Sequence, residues 1–157
     1  MLPELSNYMK NQIQSGATLP CTSCCASFVR MFKPQFAGLV ERGEKLQTVR
    51  PTPKRMPKPG DKISLRAWIG KPYRSQQRVL MESTITEVSM VDITENGIAV
   101  NSYAEPCDDF ARADGFRDFF ELRDWFRATH GLPFEGIVIH WHNADVDLPS
   151  ERKANAQ

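Results

Sequence analysis

Short runs in which apolar residues recur at every second position, with no helices between them in a βαβ rhythm, constrain this chain most. Ile63, Leu65, Ala67 and Ile69 form the clearest run, the spacing of a strand with one buried face. Phe28, Arg30 and Phe32 alternate with Val29 and Met31 over Ser27 to Phe32, which suits a strand buried on both faces. Another strand is expected over Leu46 to Arg50, and a short one over Gly97 to Tyr103. A long strand should run from Arg78 to about Ile93. Its buried parity changes between Ile85 and Val88, as at a β-bulge. Ile137, Ile139 and Trp141 mark a last strand.

Helical signals are fewer. Leu2, Leu5, Tyr8, Met9 and Ile13 share a helical spacing, and Phe36, Leu39 and Val40 give a short face closed by Gly43. Asp118 and Glu121 form a capping box ahead of Phe119, Leu122 and Phe126, with Trp125 beside that stripe and His130-Gly131 at its end. The pattern predicts an α+β fold with a mainly antiparallel sheet of about six strands and two or three short helices. With 157 residues, 41% hydrophobic and 25% charged, one domain with its own core is expected. It is preceded by an extension over residues 1–27 and followed by a flexible polar tail over 143–157. No apolar run approaches the ~18 residues of a membrane helix. The start lacks the basic and apolar regions of a signal peptide.

Cys21, Cys24 and Cys25 crowd together, with Cys107 far away. So few cysteines in a chain of this length predict reduced thiols and a cytoplasmic protein. Cys21 and Cys24 are half a zinc site, which Cys107 and one of His130, His140 or His142 would have to complete. Partly buried thiols are the preferred reading, and no metal or cofactor is expected.

A net charge of +1 conceals a division. Residues 42–78 hold eleven basic residues against Glu44 and Asp61, a net +9, while the rest of the chain carries −8. The run spans the loop Pro51 to Gly60, whose four prolines exclude regular structure, and both flanking strands. A basic groove is therefore expected. Phe110, Phe116, Phe119, Phe120, Trp125 and Phe126 read as core. Trp68 and Tyr73, inside the basic segment, are the candidates for stacking on a base.

The segment Gly43-Glu44-Lys45-Leu46-Gln47-Thr48-Val49-Arg50, followed by Lys58-Pro59-Gly60-Asp61, carries the chemistry. In a strand Thr48 and Arg50 share a face. Lys45 joins them only from a turn, which Gly43 makes easy. A hydroxyl beside an amine is a nucleophile with a base, provided the lysine pKa is lowered. Arg50 can orient an anion. An edge strand with a solvated lysine and a β-favouring threonine accommodates the same residues.

This segment resembles the signature of the ASCH domain family, which has a PUA-like β-barrel. Phe32 to Val40, Ala111 to Phe116 and the closing strand to Trp141 suit the family too, so the resemblance covers about residues 28–142. It implies a nucleoside or single-stranded nucleic acid, RNA first, in a basic cleft. One bacterial branch hydrolyses N4-acetylcytidine with a Lys, a Thr and a Glu. Lys45 and Thr48 match the first two, and Asp114 stands where that branch has Glu, one methylene shorter. The resemblance thus implies hydrolysis of an amide on a modified base, such as N4-acylated cytidine, by Lys45, Thr48 and Asp114. One alternative is a non-catalytic RNA-binding module, in which Arg50, Lys54, Arg55 and Lys58 hold phosphates and Trp68 or Tyr73 stacks a base. A metal-dependent ribonuclease is a second, without clustered carboxylates near the motif.

Overall fold

The computed structural model describes residues 25–143. The expected N-terminal helix, Cys21, Cys24 and all of the tail after Asn143 lie outside the described residues. In chain order the elements are β1 (Ser27–Phe32), α1 (Pro34–Glu41), β2 (Gln47–Pro51), β3 (Lys62–Trp68), β4 (Gln77–Ile93), β5 (Ile98–Val100) and β6 (Tyr103–Ala104). They continue with α2 (Cys107–Ala113), α3 (Phe119–Thr129) and β7 (Phe134–Trp141). The fold is α+β, with three helices and a mixed, mostly antiparallel seven-stranded sheet. Among the described residues no helix is long and apolar enough to cross a membrane.

Strand β4 organises the sheet. Its first half pairs with β3, which pairs in parallel with β1. Its second half pairs with β7 on one side and β5 on the other, and β7 also pairs with β2. The register with β7 shifts between Ile85 and Glu87, where the apolar parity changes in the sequence. The buried residues nevertheless keep one parity along the strand, Met81, Ile85, Ser89, Val91 and Ile93, so the expected change of buried face does not occur and Met90 is exposed.

The sheet is not closed into the barrel that the resemblance implied. Closure would require β1 to pair with β2, and neither has the other as a backbone partner. Side chains cross this seam instead. Arg50 on β2 donates from Nη2 to the Met31 carbonyl on β1 at 2.7 Å. The open side also corrects the reading of β1. It is an edge strand with Val29 exposed and only Phe32 fully buried, because none of the described residues covers its second face.

Three local details follow from residue chemistry. Gly60, at φ +94°, turns the chain after the proline-rich loop. The Asp61 carboxylate then accepts from the backbone N–H groups of Ala26 at 3.0 Å and Lys58 at 2.9 Å, tying the turn to the start of β1. The strand expected over Gly97 to Tyr103 is a hairpin, broken by Asn101 and Ser102 at φ 49° and 72°. Helix α3 has the expected cap, with Asp118 accepting from the Glu121 N–H at 2.9 Å. Phe119, Leu122 and Phe126 are buried on its inner face, but Phe120 is 62% exposed and does not belong to the core as expected. It lies at 100° from Phe119 along the helix and so clears the buried stripe.

Candidate active site

The open seam leads into a cleft of about 230 Å³ between β1, β2 and α3. That is below the ~300–1,000 Å³ of pockets that enclose drug-sized ligands, so the cleft takes one ring system rather than an extended chain. Aromatic residues line it: Phe32, Phe36, Phe116, Trp125 and Phe126. The Phe116 ring meets Phe36 edge-on at 5.3 Å and tilts against Trp125 at 5.8 Å, which fixes the wall without polar contacts.

Lys45 and Asp114 form the floor. Lys45 lies in the turn between α1 and β2, as the motif required. Gly43 stands at φ +70°, and the backbone N–H groups of Glu44 and Lys45 both donate to the Leu39 carbonyl. This brings a 2% exposed lysine under the start of β2. Its Nζ donates to Asp114 Oδ1 at 2.9 Å and also to the Asp114 carbonyl. Asp114 follows the last residue of α2, where carbonyls lack helical partners and a negative charge is disfavoured by the helix dipole. One ammonium therefore caps a helix and neutralises a carboxylate.

Gly115 makes this approach possible. Its φ is +93°, and a side chain there would meet Leu39 at 3.1 Å and Phe36 at 3.2 Å. Burial works against both charges, pushing the Lys45 pKa down and the Asp114 pKa up, and their mutual attraction opposes both shifts. The Phe36 ring, 5.1 Å from Nζ, offers its face to the ammonium.

Thr48 is buried, lines the cleft and shares its face of β2 with Arg50. On the opposite face Gln47 donates to the Phe110 carbonyl at 3.4 Å. Besides its bond to Met31, the Arg50 guanidinium lies 5.4 Å from the Phe32 ring. Its Nε is buried without a partner, as is the Nε of Arg30 on β1. Each such orphaned donor costs roughly 1–3 kcal/mol. Lys33 adds a further cation 5.1 Å from the Trp125 ring. His130 at the mouth has its pKa lowered, by partial burial first and then by Arg50 and Lys33. Against these cations the cleft wall has one acid, Asp114.

The structure thus brings Lys45, Thr48, Arg50 and Asp114 into one cleft. It does not bring in the other expected binding residues. Lys54, Arg55 and Lys58 are exposed on the proline-rich loop, with Arg55 5.8 Å from the Phe28 ring. Trp68, the last residue of β3, and Tyr73, in the turn that follows, pack at 5.4 Å outside the cleft. The basic run as a whole is therefore not the cleft lining. Sequence reasoning missed Arg30, Lys33 and the His130 mouth. Arg30 carried one signal, a charged residue at the inward parity of β1 between Phe28 and Phe32. Cys107 is half-buried, and among the described residues no three Cys, His, Asp or Glu side chains are grouped to hold a metal ion.

Comparison with known proteins gives no match to a family model, to a curated protein or to a solved structure.

Proposed function

We propose that this protein is an ASCH-type amidohydrolase acting on a modified base, N4-acylated cytidine being the model substrate. The observation that carries this reading is the buried Lys45–Asp114 pair on the floor of a one-ring cleft that Thr48 also lines. In the proposed reaction the base enters the aromatic-lined cleft. The Thr48 hydroxyl oxygen attacks the amide carbonyl while unprotonated Lys45 takes its proton. The C–N bond breaks as that proton passes to the departing amine, leaving an acyl ester on Thr48. Water then hydrolyses the ester, releasing the carboxylic acid and restoring the hydroxyl. Asp114 holds Lys45 in place throughout.

Lys45 acts as a base only above its pKa, which burial lowers from the ordinary lysine value of 10.5. Acetate release should therefore rise with pH and level off at a lower pH than free lysine would give. The test is acetate release from N4-acetylcytidine by purified protein. Thr48→Val, which keeps shape and strand preference, should lower the rate about 10²–10⁴-fold. Absence of turnover in the parent, or full activity in Thr48→Val, would sink the reading.

The non-catalytic RNA-binding alternative draws on a different surface, the exposed Lys54, Arg55 and Lys58 with the Trp68–Tyr73 pair. It requires RNA affinity that falls steeply with salt and with Lys54→Glu/Arg55→Glu. Salt-independent binding would remove it.

A further inference from the structure

We infer that the open β1–β2 seam is a phosphate subsite, so that the ligand of the cleft is a nucleotide rather than a free nucleoside. This deepens, and rests on, the reading of the cleft as a nucleoside site. Arg30 and Arg50 approach the seam from its two sides. Arg50 is anchored to β1 at the Met31 carbonyl, beside Arg30, whose Nη1 donates to the Val29 carbonyl at 3.0 Å. Each guanidinium is thus tied to backbone by one nitrogen and keeps a buried Nε with no partner. A pair of arginines that served only to cross-link two strands would find acceptors for those donors. Here Asp114, the acid whose charge reaches Arg50, is committed to Lys45.

The rings beneath hold both groups in place, with Phe28 5.4 Å from the Arg30 guanidinium and Phe32 5.4 Å from that of Arg50. Loss of hydration on burial lowers the pKa of both, and the like charge of Arg30 lowers that of Arg50 further. A tetrahedral oxyanion between them relieves the repulsion and supplies acceptors to both forks. Position agrees with the chemistry. Arg50 follows Thr48 by two residues on one face of β2, or ~7 Å along a strand. A base held at Thr48 therefore places its own phosphate, not a second molecule, at the seam.

The phosphate could be the monoester of a mononucleotide or a diester of an RNA strand, and the experiment separates the two. Binding of cytidine, cytidine 5′-monophosphate and a short cytidine oligoribonucleotide is measured by calorimetry at low and high salt, without reference to turnover. The monophosphate should bind at least about tenfold tighter than cytidine, with the advantage shrinking as salt rises. Arg30→Gln should abolish that advantage while leaving cytidine affinity unchanged, and Arg30→Lys should keep part of it. Tight binding by the oligonucleotide but not the monophosphate would assign the seam to a backbone diester. Equal affinities for all three, undetectable binding, or a phosphate advantage that survives in Arg30→Gln would overturn the inference. A protein that binds the monophosphate in this way yet releases no acetate keeps the subsite and loses the hydrolase reading.

Discussion

Two groups of cations divide this molecule. Between Lys54 and Arg78 lie eight basic residues, all of them exposed except Arg66. Around the seam and cleft lie Arg30, Lys33, Lys45 and Arg50, fewer but mostly withdrawn from water. The first group dominates the charge arithmetic of the sequence. The second holds what is chemically unusual, because desolvation leaves donors unpaired and shifts pKa values, whereas an exposed lysine is satisfied by water. Charge density along a chain locates a surface; burial of charge locates a site.

The strongest test of this contrast removes a buried cation. Lys45→Met leaves the Asp114 carboxylate buried and unpaired and uncaps α2, which should cost roughly 3–5 kcal/mol of stability. The double variant Lys45→Met/Asp114→Asn removes both charges and should recover a large part of that loss in urea denaturation. A double variant no more stable than the single one would show that the pair is not what holds the floor together. Gly115→Ala acts on the same floor through the backbone. The strain of a side chain at this φ, together with pressure on Leu39 and Phe36, should cost about 2 kcal/mol. A wild-type urea midpoint would mean that the turn has another way to present Asp114. At the small end, Lys54→Glu/Arg55→Glu should leave both the urea midpoint and the affinity for a mononucleotide unchanged. A loss of mononucleotide affinity would extend the site onto the loop and erase the contrast.

The fold was largely legible where a local rule decides the outcome. The period-two runs gave the long strands and Asp118 gave the start of α3; the irregularity after Ile85 is present, but without the change of buried parity from which it was expected. Helix α2 escaped because seven residues behind Pro106 carry no periodic stripe. Parallel pairing of β1 with β3 and the open seam escaped because they depend on which edges meet, and alternation is silent on partners. The motif brought Lys45, Thr48 and Arg50 to attention and the family resemblance added Asp114, and all four line the cleft. Trp68 and Tyr73 were singled out by their charged neighbours in sequence, but the turn between β3 and β4 carries them away from the cleft.

Strand β4 has a consequence for how the protein opens. Its 17 residues belong to both halves of the sheet, so neither half can come apart without stripping partners from the strand that completes the other. The halves are therefore expected to unfold as one cooperative unit, with amides near Met81 and Val91 exchanging through the same global opening. Around that rigid spine, the seam between β1 and β2 is the natural place for local breathing, since only side chains join its edges. A ligand bridging Arg30 and Arg50 would then do for the sheet what the missing backbone pairs do not, and protection from exchange in β1 would rise on binding although the cleft itself lies deeper.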